Sequence, residues 1–160
     1  MSRAVLSIGS NVGDRAAHLR TAVAEFLDVL VAASPVYQTP AWGGVPQEPY
    51  LNAILLVEGG HTPVEWLARA HHGEAAGGRE RAERWGPRTL DVDIVHIDGI
   101  VSSAPDLRLP HPLAHERAFV LLPWLDVDPA AELSGRPIRE WLSTVDSAGI
   151  HRCSDVDIRP

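Results

Sequence analysis

Asp91-Val92-Asp93-Ile94-Val95-His96-Ile97 is the stretch on which the reading of this chain turns. Its last four residues are β-branched apart from His96, the composition of a strand entering a core. Residues i and i+2 of a strand share a face, so Asp91 and Asp93 point the same way and can grip one metal cluster. Just ahead lies Arg79-Glu80-Arg81-Ala82-Glu83-Arg84-Trp85-Gly86-Pro87-Arg88, which puts four arginines beside the two carboxylates, approached through Gly77-Gly78. Arginine offers phosphate oxygens a planar, permanently charged fork, and carboxylates suit hard divalent cations. The segment therefore reads as polyphosphate and metal chemistry.

Upstream, Ala4-Val5-Leu6-Ser7-Ile8 reads as a buried first strand, ended by a turn at Gly9-Ser10-Asn11. From Asp14 the pattern turns helical: Leu19, Val23, Phe26, Leu27 and Leu30 keep the 3.6 period, Asp14 caps the start and Pro35 lies beyond the end. Ser34 to Thr39 reads as a second strand and Leu51 to Val57 as a third. The Pro- and Gly-rich connector between them is longer than a hairpin needs. Thr62-Pro63-Val64-Glu65 has the form of a capped helix start, with that helix running to about Glu74. The strand at Asp91 then completes β-α-β-β-α-β, the order of a ferredoxin-like sandwich of the α+β class. A C-terminal helical extension follows, with helices expected over His115 to Trp124 and Pro137 to Ser143. Residues 1–160 read as one domain, and the order of the tail from about residue 146 is left open.

The chain is 45% apolar and 22% charged, so a sizeable core is expected. A formal net charge of -7 argues against nucleic acid or an anionic membrane surface as partner, and the positive charge is confined to one cluster. No apolar run is long enough to cross a bilayer or act as a secretory signal, and Cys153 is the single cysteine. A cytoplasmic, disulfide-free monomer is expected. Gly9-Ser10-Asn11 lacks the Walker pattern, and every basic side chain is arginine, so the loop is read as structural and phosphate falls to the arginines.

Gly9-Ser10-Asn11, Tyr50-Leu51-Asn52-Ala53, Arg79-Glu80-Arg81, Arg84-Trp85-Gly86-Pro87-Arg88 with Asp91-Val92-Asp93, and Pro110-His111-Pro112 with Arg117 and Phe119 together resemble one family. It is that of the 6-hydroxymethyl-7,8-dihydropterin pyrophosphokinases of folate biosynthesis, over Ala4 to about Trp124. The resemblance implies an ATP-dependent pyrophosphokinase that moves the terminal pyrophosphoryl unit of ATP to the hydroxymethyl group of the pterin, leaving AMP. It implies two Mg²⁺ ions on Asp91 and Asp93. It also implies that Arg79 and Arg88 stabilise charge on the transferred group, and that Arg81 and Arg84 capture the triphosphate.

On the pterin side the resemblance implies Tyr50 and Phe119 as the aromatic faces, Asn52 at the heterocycle's edge, and the backbone of Thr39, Pro40 and Trp42 completing that edge. On the ATP side it implies Glu74 at the ribose, with Trp85, Ile94, His111 and Arg117 as further contacts. Other readings stand beside these. Phe119 lies within an apolar helix and could be core, Trp85 could pack under its loop, Arg84 could be part of a solvated face, and Glu74 could be an exposed helix carboxylate. A non-catalytic ligand-binding module and a metal-dependent nuclease are the competing classes. The first gives no physical reason to crowd carboxylates against arginines, and the second leaves Tyr50 and Asn52 unexplained. The loops at 40–50 and 75–88 are expected to close over bound ligands.

Overall fold

The computed structural model describes residues 1–40, 48–78 and 89–160. The elements in chain order are β1 (Ser2–Ser10), α1 (Arg15–Glu25), β2 (Leu30–Ala33), β3 (Tyr37–Thr39), β4 (Tyr50–Gly59), α2 (Pro63–Ala76) and β5 (Asp91–Ile97). They are followed by β6 (Ser102–Ala104), β7 (Leu107–Leu109), α3 (Ala118–Val127), β8 (Glu132–Leu133), β9 (Arg136–Pro137), α4 (Ile138–Leu142) and β10 (His151–Arg152). The main sheet runs β5-β1-β4-β3-β10, with β2 also on β4, and its pairs are antiparallel. That is the ferredoxin-like arrangement expected from the element order, enlarged at one edge.

The sheet divides the core in two. Ala4, Leu6, Ile8, Ala53, Leu55, Val57, Val92 and Ile94 pack with Leu19, Val23 and Phe26 of the α1 region and with Trp66 and Ala70 of α2. On the other face Val5, Ile54, Leu56 and Val95 pack with Val120, Leu121 and Trp124 of α3 and Ile138 of α4. The second face is the one that matters for function, since Ser7, Gly9, Tyr50, Asn52, Asp91 and Asp93 share its parity. Val95 is an extra residue in β5: Val5 pairs His96 while Leu6 pairs Ile94. The bulge turns both Val95 and His96 toward α3, where the His96 ring lies 5.9 Å from that of Trp124.

Several element boundaries differ from expectation. β1 continues through Gly9 to Ser10 and does not turn at Gly9. α1 stops at Glu25, because a 3-10 turn over Leu27–Val29 tightens the chain and Leu30 already pairs with Val57. Leu27 is consequently 54% exposed, although it keeps the helical period. The strand expected over Ser34 to Thr39 is confined to β3, and β2 occupies the end of the stretch expected to be helical, the two being separated at Ser34-Pro35-Val36. Pro35 has no N–H to give the ladder, and the Ser34 hydroxyl fills in by accepting from Ile54 N at 2.8 Å.

α2 starts as expected, with a capping box in which Thr62 Oγ1 accepts from Glu65 N and Glu65 Oε1 accepts from Thr62 N. The helix expected from His115 begins at Ala118, after a 3-10 turn at Ala114–Glu116 and an extended Arg117. The tail, open from sequence, lays β10 on the outer edge of β3 and buries Ile158 among the α1-side core.

Candidate active site

A row of residues crosses the second face from edge to edge: Asp91 pairs with Gly9, Gly9 with Asn52, and Asn52 with Tyr37. Strands are about 4.8 Å apart, so Asp91 and Asn52 stand roughly 10 Å apart across one strand that carries no side chain at that point. A methyl group at position 9 would lie 2.8 Å from Asn52 Oδ1, closer than carbon and oxygen can pack. Gly9 is required by that side chain, which agrees with a structural reading of the Gly9-Ser10-Asn11 loop.

Asn52 is buried and its amide is oriented. Nδ2 donates to Thr39 Oγ1 at 2.8 Å, while Oδ1 is turned toward Gly9. Thr39 pairs directly with Tyr50, so Thr39, Tyr50 and Asn52 form one patch. Pro40 is exposed at the end of β3, where it lies against Gly149 of the tail. The 41–47 segment, including Trp42, lies outside the described residues, and the chain that follows it is held in place. Asn11 Nδ2 donates to Glu48 O at 3.2 Å and Arg15 Nη1 to Pro49 O at 2.9 Å. These two anchors were not foreseen, because they join residues more than thirty positions apart.

Asp91 and Asp93 share the second face as expected, lying opposite Gly9 and Ser7, and Asp93 is exposed. Glu74 is not the exposed helix carboxylate that the sequence also allowed. It is 5% exposed, and Oε2 accepts from Val92 N at 3.1 Å, which pins the backbone between the two aspartates. The Ile94 side chain is 4% exposed and packs in the α1-side core, on the face opposite Asp91 and Asp93. Strand parity sends its N–H and C=O to the same outer edge as Val92 N, so only its backbone is offered there.

Arg79, Arg81, Arg84, Trp85 and Arg88 lie outside the described residues. The chain nonetheless leaves and re-enters at one point beside Asp91. Gly77 packs so closely on Leu90 that a Cβ there would sit 2.6 Å from the Leu90 Cβ. Leu90 is fully buried, so the arginine-bearing segment is tied at both ends next to the carboxylates.

His111 and Arg117 converge on the same place. With Ser7, Asp93 and Val95 they line a narrow cleft between β5 and the start of α3. His111 N donates to Val95 O at 2.8 Å, docking the segment after β7 on the outer edge of β5. His111 Nδ1 accepts from Leu113 N at 3.1 Å, so the neutral ring carries its proton on Nε2, as a donor. Burial, and secondarily the charge of Arg117, hold the imidazole below its ordinary pKa. The Arg117 guanidinium lies 5.5 Å from the centre of the Phe119 ring. Phe119 is half-buried and leans on the α3-side core, so it has both a core contact and an exposed part. Among the described residues no three His, Cys, Asp or Glu side chains cluster as a metal site, and no helix is long and apolar enough to cross a membrane.

A family model described as 7,8-dihydro-6-hydroxymethylpterin-pyrophosphokinase (HPPK) matches residues 5–129. The chain is similar to the 2-amino-4-hydroxy-6-hydroxymethyldihydropteridine pyrophosphokinase of Mycobacterium tuberculosis, at 46% identity over 92% of this chain and 86% of that protein. It is similar at 41% identity to the protein of the same name from Methylorubrum extorquens, over 95% and 99% of the two chains. Among solved structures, a Plasmodium falciparum HPPK-DHPS crystal structure aligns with TM-score 0.65 at 12% identity, over 89% of this chain and 45% of that one. The chain thus spans less than half of that protein, and at such identity the likeness concerns the fold alone.

Proposed function

Because the chain belongs to the 7,8-dihydro-6-hydroxymethylpterin-pyrophosphokinase family, we infer that it transfers the pyrophosphoryl group of ATP to the hydroxymethyl group of 6-hydroxymethyl-7,8-dihydropterin in folate biosynthesis. The observation that carries the site assignment is the row Asp91-Gly9-Asn52 on one face of the sheet. A pterin whose edge meets Asn52 and Thr39 has its hydroxymethyl arm directed across the gap at Gly9 toward the carboxylates. Tyr50 and Phe119 take its faces, and the amide of Asn52 both gives and accepts hydrogen bonds at its edge. The backbone of Thr39, Pro40 and Trp42 completes that edge.

The donor set fits Mg²⁺. Asp91 and Asp93 are hard oxygen ligands on one face of an edge strand, the backbone between them is pinned by Glu74, and Asp93 is open to the cleft. Mg²⁺ held there, two ions in our reading, would withdraw charge from the phosphate oxygens and align the two substrates. The rest is done by the chain's own groups. Arg81 and Arg84 receive the triphosphate, Arg79 and Arg88 neutralise charge growing on the transferred group, and Arg117 and the Nε2–H of His111 close the cleft from the α3 side. Trp85 and the Ile94 backbone edge are assigned to the nucleotide. Glu74 is reassigned from the ribose to holding the aspartates in place. We read the working unit as a monomer in the cytoplasm.

Titration with a non-hydrolysable ATP analogue tests the metal assignment. Wild-type affinity should rise with Mg²⁺, and Asp91→Asn and Asp93→Asn should each lose that rise. Affinity indifferent to Mg²⁺ in the wild type would overturn the assignment.

A further inference from the structure

Tyr37 has no part in the chemistry assigned above, yet it completes the row that contains Asp91, Gly9 and Asn52 and lies directly opposite Asn52. Tyr37 is 8% exposed, and its hydroxyl donates to Asp126 Oδ2 at 2.5 Å. Burial, and then the bonded carboxylate, push the Tyr37 phenol up to about 12, so the proton stays on the phenol at working pH. Asp126 lies near the end of α3, the helix whose first turn carries Phe119 and which follows Arg117.

β3 needs such a tie. It has three residues, and its outer neighbour β10 has two, so few ladder bonds hold it in place. Thr39, two residues on from Tyr37 and on the same face, receives the Asn52 amide at 2.8 Å. A shift of β3 relative to α3 would therefore move Thr39, turn Asn52, and change the gap between the sheet side of the pterin patch and Phe119.

We propose that Tyr37 and Asp126 are positioning residues for the pterin, their hydrogen bond fixing the separation between the sheet edge at Thr39 and Asn52 and the wall formed by α3. The proposal rests on the pterin assignment made above. The tie is charge-assisted and partly buried, and its loss should appear in pterin recognition first.

The test measures pterin affinity in the presence of a non-hydrolysable ATP analogue, together with analogue affinity, pterin KM, kcat and thermal midpoint. The variants are Tyr37→Phe, Asp126→Asn and Asn52→Ala. Tyr37→Phe removes one oxygen and should weaken pterin binding roughly tenfold, raising pterin KM with little change in kcat or in analogue affinity. Asp126→Asn keeps an acceptor oxygen for the phenol and should retain most of the affinity. Tyr37→Phe that binds pterin like the wild type, or that loses pterin and nucleotide affinity in equal measure, overturns the proposal. Asn52→Ala separates the two levels. If it binds pterin normally, the site assignment itself is wrong; if it loses pterin while Tyr37→Phe does not, only the tie is wrong.

Discussion

Replacing Gly9 by alanine should damage pterin recognition far more than it damages the fold. The new Cβ would meet Asn52 Oδ1 at 2.8 Å, with Leu51 O and Tyr50 Cδ1 at 3.6 Å, so the side-chain amide must yield and the backbone contacts need not. Asn52 cannot swing freely, since it is 6% exposed and bonded to Thr39 Oγ1. Breaking that bond leaves two buried groups unpaired and costs about 1–3 kcal/mol. Alanine returns about 0.5–1 kcal/mol of the entropy that glycine loses in a strand. The net loss is about 0.5–2 kcal/mol, so the thermal midpoint should fall by several degrees with the protein still folded. Pterin affinity has no such offset. An amide turned out of register forfeits about 1.5–3 kcal/mol of edge recognition, a ten- to hundredfold loss. Fluorescence titration with pterin, beside thermal melting of the same samples, reads both quantities. Unchanged pterin affinity in a folded Gly9→Ala protein would refute the claim that Asn52 is aimed at the ligand across Gly9.

Asp93→Ala removes an exposed side chain, so turnover should fall by about a thousandfold or more with stability held within about 0.5 kcal/mol; equal losses in a denaturation curve and a rate assay would mean that Asp93 is structural. Glu74→Ala strips the acceptor from Val92 N in a buried site and should cost about 1.5–3 kcal/mol of stability as well as weakening Mg²⁺-dependent nucleotide binding. A stable variant with normal metal dependence would show that the aspartates need no such support. His111 should impose an acid limit on stability. Burial disfavours its charged form, so the unfolded chain takes up the proton first, and stability present above the ordinary value of 6.5 is lost as pH falls below it. Urea melts of wild type and His111→Gln at neutral and mildly acid pH should show the larger acid loss in the wild type, and parallel curves would contradict the assignment. Truncation before Ser147 uncovers the β3 edge and removes the buried Ile158, so it should lower the thermal midpoint, and an unchanged midpoint would mean that the tail contributes nothing to the core.

Much of this was legible because the two periodicities of secondary structure are local. Alternation placed Asp91 and Asp93 on one face, and the capping signature at Thr62 to Glu65 located the start of α2. The same alternation sends the Ile94 side chain away from Asp93 and leaves only its backbone on that edge. Leu27 and Leu30 kept a helical period into a 3-10 turn and a strand, because apolar spacing alone does not report where the backbone tightens. Pro35, beyond the end of the helical pattern, in fact separates β2 from β3 through its missing N–H. The roles of Gly9, Asn11, Arg15 and Tyr37 were hidden for a different reason. Each depends on a partner brought close only by sheet register, and register follows from the whole set of pairings and not from any local stretch.

The central claim is that one face of this sheet brings ATP, metal carboxylates and a pterin together for pyrophosphoryl transfer. Incubating the protein with ATP, Mg²⁺ and 6-hydroxymethyl-7,8-dihydropterin and separating the nucleotides tests it most directly. The account predicts AMP that forms only when pterin is present and that vanishes in Asp93→Ala; ADP as the product, or AMP formed without pterin, would contradict it.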